Sequence, residues 1–254
     1  MYYNKIFDCH VHSEFSADGG STLQEMCETA INLGVRGVVF TDHIDTEKEE
    51  ILNDPDTRKK YIKTIHEIKK YYENFLNILC GYELSAPHKD RQLCLDLENC
   101  EFDYKMVSVH HGDFNVSIKD ETEYVASYLH EVELAINFGK FDVLGHVDLL
   151  RRLYGRFSYN VKQLEGIYSI MQEKGMALEV NTHSMKKLRT IRKQDLEYVE
   201  LWKKCGGKNI VLGSDAHSCS KFRERFCDII PLLPQGIEIG HYFNGIFITD
   251  YIVE

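Results

Sequence analysis

The chain has 254 residues, enough for one large α/β domain with a full core, and its 43% hydrophobic and 28% charged content is ordinary for a soluble globular protein. A formal net charge of -10 argues against a nucleic-acid partner, since binding a phosphate backbone relies on Lys and Arg, but leaves room for a small phosphorylated substrate held by a few local cations. No apolar run reaches about 18 residues, so neither a membrane span nor a membrane partner is expected. Met1-Tyr2-Tyr3-Asn4-Lys5 carries no signal-peptide pattern, and eight Cys without a C-x-x-C pair read as reduced thiols of a cytoplasmic protein.

Ile6-Phe7-Asp8-Cys9 predicts a first strand, closed by His10-Val11-His12, and Asp18 follows six residues after His12. Ser21 with Gln24, or Thr22 with Glu25, offers a capping box for a helix with Leu23, Met26, Cys27, Ala30 and Ile31 at helical spacing, stopped by Gly34. A second strand, Gly37 to Asp42, ends at His43. Thr57 to Phe75 predicts a charged helix with Tyr61, Ile65, Ile68 and Tyr72 on one face. The strand Leu76 to Tyr82 ends at Glu83, and the strand Tyr104 to Val109 at His110. Glu121 to Phe138 is helical up to Gly139. Phe141 to Gly145 is a strand ending at His146. A helix from Asn160 to Lys174 and a strand from Met176 to Asn181 follow, then a helix from Gln194 to Cys205. The strand Asn209 to Ser214 leads into Asp215 and His217, and Gly245 to Thr249 is a short eighth strand.

Strict alternation of strand and helix favours a parallel sheet with helical crossovers in a single domain, residues 1–254. Six His, two Asp and one Glu at successive strand ends favour closure into an α/β barrel, because the outer strands of an open sheet stand too far apart to share a site. Residues two apart share a strand face, so Asp8, His10 and His12 should point together, as should Leu79, Gly81 and Glu83, while Cys9 and Val11 face the helices. Imidazole and carboxylate are ligand types for Zn, Mn and Fe. The rival reading is a metal-free mouth for acid-base catalysis, but so many converging imidazoles would be costly to hold without a cation or carboxylate partners.

These motifs resemble those of the polymerase and histidinol phosphatase (PHP) family of metal-dependent phosphoesterases. The matching pieces are Asp8-Cys9-His10-Val11-His12 with Asp18-Gly19, Thr41-Asp42-His43, Gly81-Tyr82-Glu83, Ser108-Val109-His110-His111, Gly145-His146-Val147-Asp148 and Gly213-Ser214-Asp215-Ala216-His217-Ser218. They run in family order from residue 8 to 218. The resemblance implies a distorted (β/α)7 TIM-like barrel with up to three divalent transition-metal ions (Mn, Zn or Fe) at the C-terminal ends of the strands. One ion would take His10, His12, Glu83 and Asp215; a second Asp18, His43 and His217; a third His110 and His146, with Glu83 bridging. Some relatives carry His where this chain has Asp18; a carboxylate there is typical of the histidinol-phosphatase branch, and as a harder ligand it tilts the second site toward Mn or Fe. Asp8, Asp148 and Glu179 are placed to orient ligand imidazoles.

Clustered divalent ions suit hydrolysis of a phosphate ester by a metal-bridging hydroxide, with Asp18, His43, Asp215 and His217 as the catalytic candidates. Glycine-rich phosphate loops and a G-x-S-x-G elbow are absent from the sequence. The phosphate candidates are therefore side-chain cations: Arg151, Arg152 and Arg156 after the fifth strand, and Lys186, Lys187, Arg189 and Arg192 after the sixth, with His183 beside them. Relatives of the histidinol-phosphatase branch usually carry Arg where Lys186 stands. His111 and His183 are the imidazoles available as proton donors. The stretch Phe141 to Arg152 is especially like the histidinol-phosphatase branch, which implies hydrolysis of histidinol phosphate in histidine biosynthesis. The alternatives are another small-metabolite or nucleotide phosphoesterase of the family, and a polymerase-associated scaffold domain.

Overall fold

The structure, a computed structural model, describes residues 3–110 and 120–254. Its strands are β1 (Asp8–Val11), β2 (Gly37–Phe40), β3 (His43–Asp45), β4 (Asn77–Ser85), β5 (Tyr104–Ser108), β6 (Val143–Leu144), β7 (Ala177–Asn181), β8 (Asn209–Gly213), β9 (Glu238–Phe243) and β10 (Ile246–Ile252). The helices are α1 (Leu23–Asn32), α2 (Pro55–Tyr71), α3 (Arg91–Glu98), α4 (Glu121–Phe138), α5 (Arg151–Tyr154), α6 (Val161–Glu173), α7 (Glu197–Lys204) and α8 (Phe226–Ile229). None among the described residues is long and apolar enough to cross a membrane.

Local chemistry sets the helix ends. Thr22 caps α1, its hydroxyl accepting the Glu25 N–H at 3.2 Å while Glu25 accepts the Thr22 N–H at 2.8 Å, so the box is Thr22/Glu25 and not Ser21/Gln24. Asp54 caps α2 and Pro55 opens it, which starts that helix two residues before Thr57; it ends at Tyr71, short of Phe75. Burying Tyr61 and Ile65 on its inner face is worth about 1.5–3 kcal/mol per side chain.

The sheet runs β1-β2-β4-β5-β6-β7-β8-β9-β10, with β3 continuing beyond β2 and pairing with β4. Pairing is parallel from β1 through β9. The sheet curls until β1 meets the far end of β8: the His12 N–H donates to Ala216 O at 3.0 Å and the Asp215 N–H to His10 O at 2.8 Å. This closes a distorted barrel at the end where the strand-end histidines lie. At the other end β9 and β10 form an antiparallel hairpin that packs under β1, where Asp250 accepts the Phe7 N–H at 3.3 Å and His241 stacks on Phe7 at 3.7 Å. The expected short strand at Gly245 to Thr249 is thus the return arm of a hairpin with an Asn244-Gly245 turn, both residues at positive φ.

One expectation about β1 fails. Cys9 packs inside the barrel with Phe7, Val39, Leu79, Met106 and Val211, while Val11 packs among the helices. The register of β1 against β2 shifts between Asp8 and Val11: three steps along β1 match two along β2. Such a bulge places two adjacent residues on one face, so Cys9 does not face the helices. The apolar plug formed by Cys9 and its neighbours fills the barrel below the site.

Candidate metal centre

Glu83, fully buried at the end of β4, is the centre of the cluster. Its Oε1 meets His146 Nε2 at 2.7 Å and His110 Nε2 at 3.2 Å. Its Oε2 meets His43 Nδ1 at 3.0 Å, His10 Nε2 at 3.2 Å and His12 Nε2 at 3.6 Å. Oε1 thus faces the two imidazoles expected on the third ion, while Oε2 faces His10 and His12 together with His43, which the expected partition assigned to a different ion. Asp215 Oδ1 stands 3.4 Å from His12 Nε2 and 3.8 Å from His10 Nε2. Asp18 reaches in from an exposed loop to His217 Nε2 at 3.1 Å and His43 Nε2 at 3.7 Å, and those two nitrogens are 3.4 Å apart. All nine side chains anticipated as ligands therefore lie in one constellation, and four triplets within it bring their donor atoms within 4.8 Å of one another.

The electrostatics follow from this crowding. Burial would raise the Glu83 carboxyl, but His10, His110, His43 and His146 hold it well below its ordinary value. Burial likewise opposes ionisation of Asp215, and Arg152, His10 and His12 outweigh it. For His10 the burial penalty is overcome by Glu179, Glu83 and Asp215, which hold its pKa well above the usual imidazole range. His12 goes the other way, lowered by burial and by the imidazoles of His43 and His217. Its Nε2 is buried, has no hydrogen-bond partner among the described residues and points among carboxylates and imidazoles. A borderline-soft divalent cation suits that orphaned donor and the mixed nitrogen and oxygen set around it.

The supporting residues only partly follow the parity argument. Glu179 Oε1 accepts the Nδ1–H of His10 at 2.7 Å, as a residue orienting an imidazole should, and its Oε2 accepts the His146 backbone N–H at 2.5 Å. Asp8 does not orient an imidazole. It accepts from the Ser214 N–H at 2.9 Å and the Ser214 hydroxyl at 2.6 Å, fixing the end of β8 just before Asp215, whose φ is +52°. Asp148 binds the Arg151 Nε–H at 3.0 Å instead of an imidazole. Three supporting residues escaped the sequence reading. Asp45 stands 3.7 Å from His110 Nδ1, and Ser16 and Asp42 lie behind His12.

The cations divide sharply. Arg152 reaches Asp215 and also donates to Asn181 Oδ1 at 3.3 Å, so its guanidinium lies at the centre's edge. Arg151 does not: it is 4% exposed and spent on Asp148 and the Asp195 carbonyl, which removes it as a phosphate anchor. Arg156 pairs with Glu121 at the surface, and Arg192 with Asp195. Lys186 Nζ donates to His183 Nε2 at 2.6 Å, and burial with the nearby Arg152 charge lowers His183 to about 4. Arg189 is exposed, with no hydrogen bond or ion pair among the described residues, and Lys187 leans on the Leu153 carbonyl at 3.5 Å. His111 lies outside the described residues. A cavity of about 440 Å³ opens over the centre, lined by Asp18, His43, Asp45, Glu50, His110 and Arg152 among others.

A curled parallel barrel with buried His, Asp and Glu converging at its mouth defines a metal-binding barrel protein. The PHP domain family matches residues 8–183, and the chain belongs to that family. It is 30% identical over 239 residues to the histidinol-phosphatase of Lactococcus lactis subsp. lactis (strain IL1403), covering 84% of each chain. It is 27% identical over 214 residues to a probable histidinol-phosphatase of Thermotoga maritima, again covering 84% of each. Its fold superposes, with a TM-score of 0.71 and 22% identity, on the crystal structure of histidinol phosphate phosphatase from Lactococcus lactis subsp. lactis Il1403 complexed with zinc, L-histidinol and phosphate, covering 96% of this chain and 99% of that one.

Proposed function

We propose that this chain is a metal-dependent phosphomonoesterase that hydrolyses L-histidinol phosphate to L-histidinol and phosphate. The observation that carries the reading is the division of five imidazoles between the two oxygens of buried Glu83, with Asp215, Asp18 and His217 completing the set. The names of the relatives support the substrate. His10, His12, Glu83 and Asp215 would hold one divalent ion, Asp18, His43 and His217 a second, and His110 and His146 with Glu83 a third. Such ions, when bound, acidify water and offset phosphoryl charge.

The chain's own residues do the rest. Arg152, which reaches Asp215 at the cavity, is the cation we assign to a phosphoryl oxygen, and its planar guanidinium suits phosphate binding. Lys186, an exposed cation that donates to His183, is a second candidate for the phosphate. Asp45 and Glu50 line the cavity beside Lys48, which pairs with Asp45 at 3.9 Å, so Glu50 is the carboxylate best placed to meet the ammonium or imidazole of histidinol phosphate.

The test is a substrate panel with Mn-loaded protein: histidinol phosphate, neutral sugar phosphates, p-nitrophenyl phosphate, phosphotyrosine and a phosphodiester. The expected kcat/KM for histidinol phosphate exceeds the others by at least about a hundredfold, the lower range for a pocket that hydrogen-bonds its substrate. Comparable efficiency across monoesters would make this a general phosphatase, and preference for the diester would make it a phosphodiesterase.

A further inference from the structure

Ser16 lies in the loop between His12 and Asp18, is 2% exposed and has no acid-base chemistry of its own. Its hydroxyl nevertheless sits at a junction of three groups. Oγ is 2.8 Å from Asp42 Oδ1, 3.1 Å from His12 Nδ1, and 3.1 Å from the His43 backbone nitrogen, which donates to it. Asp42 is fully buried at the end of the β2 segment. It accepts the Ser13 N–H at 2.7 Å on the same Oδ1, and the Ser13 hydroxyl at 2.9 Å on Oδ2.

A serine hydroxyl has one proton to give and two lone pairs to offer. Asp42 Oδ1 already accepts a backbone N–H, so it meets Ser16 as an acceptor, and the single hydroxyl proton goes to it. One lone pair of Oγ takes the His43 N–H. Only the other lone pair remains for His12, so the His12 nitrogen facing it must carry a proton.

We propose that Ser16, held by Asp42, is a positioning residue that keeps His12 in the Nδ1–H form, leaving Nε2 with its lone pair aimed at Glu83 and Asp215. The same hydroxyl ties the main chain at His43 to the loop that carries Asp18, so one contact fixes the approach of three of the side chains assigned to metal. The role assigned to His12 rests on the metal-binding reading under Proposed function; the tautomer does not.

The experiment has two readouts. Long-range ¹H–¹⁵N NMR of the imidazoles in metal-free protein reads the tautomer directly, and calorimetric titration with Mn or Zn reads affinity. Wild type should show protonated Nδ1 at His12, and Ser16→Ala should lose that preference while its far-UV CD stays that of wild type. Metal affinity of Ser16→Ala should fall about ten- to a hundredfold, the usual effect of removing the partner of a ligand histidine. Ser16→Thr, which keeps the hydroxyl, should restore both readings. Protonated Nε2 in wild type, or an unchanged tautomer in Ser16→Ala, overturns the proposal. If instead the tautomer behaves as expected but metal leaves the His12 resonances of wild type unmoved, the relay stands and the assignment of His12 as a ligand fails.

Discussion

The carboxylate of Glu179 accepts the Nδ1–H of His10 at 2.7 Å, entirely out of contact with solvent. The pair fits because residue 213 is glycine: a methyl group there would lie 2.0 Å from Glu179 Oε1 and 2.6 Å from His10 Cβ. One strand supplies the imidazole, a second the carboxylate, and a third the space between them.

Glu179→Gln keeps the shape of that contact but replaces a carboxylate with an amide that can present its NH₂ to His10. Metal affinity should fall about ten- to a hundredfold, with secondary structure retained. Gly213→Ala should do at least as much damage, by pushing the pair apart. Calorimetric titration with Mn or Zn measures both, and wild-type affinity in either variant would contradict the role given to this contact.

Asp215→Asn removes an anionic donor that faces His10, His12 and Arg152. Turnover should be nearly abolished, and elemental analysis should show fewer ions per chain than the roughly three expected for wild type. Circular dichroism should remain that of the folded chain. Full turnover in a folded Asp215→Asn protein would place the chemistry elsewhere.

Adjacent arginines should behave in opposite ways. Arg152→Ala should lower kcat/KM about ten- to a hundredfold, as loss of a charge-assisted contact to substrate, and should cost less stability than loss of Arg151 because Asp215 keeps His10, His12 and Asn181 beside it. Arg151→Ala leaves Asp148 buried without its partner, and should cost about 3–5 kcal/mol of folding stability. Urea unfolding and steady-state kinetics on the two variants separate these effects. The idea is lost if Arg151→Ala is as stable as wild type but catalytically impaired.

Asp142, remote from the ligands, gives a pH-dependent stability. Burial pushes its carboxyl from the ordinary 3.8 up to about 6, against the Lys105 N–H that donates to it at 2.9 Å. Between those values the folded chain holds a proton that the unfolded chain has released. The contribution of this group to stability is therefore present at low pH and declines as pH rises from about 4 to about 6, by roughly 2–3 kcal/mol in all. Asp142→Asn keeps an acceptor for Lys105 and should flatten this part of the profile. Unfolding both proteins at about pH 4 and about pH 7 checks it, and parallel profiles would refute it.

The sequence by itself determined the strand-helix alternation, the helix from Glu121 to Phe138, and the nine donors at the strand ends. Those features are local: helical spacing, end caps and the two-residue period of a strand leave their marks within a few residues. Of the antiparallel hairpin at residues 238–252 only the return arm was read from the sequence, as the short strand Gly245 to Thr249; its first arm, Glu238–Phe243, was not. Only the tertiary structure decided which oxygen of Glu83 faces which imidazole, that a bulge turns Cys9 into the barrel, and that Arg151 is buried while its neighbour Arg152 reaches Asp215. Two adjacent arginines in a loop have the same local signals. What separates them is the position of Asp148 and Asp195 on one side and Asp215 on the other, set by chain segments up to 63 residues away. Ser16 and Asp42 were overlooked for the same reason: a serine and an aspartate 26 residues apart become parts of one hydrogen-bonded unit only when the barrel brings their strand ends together.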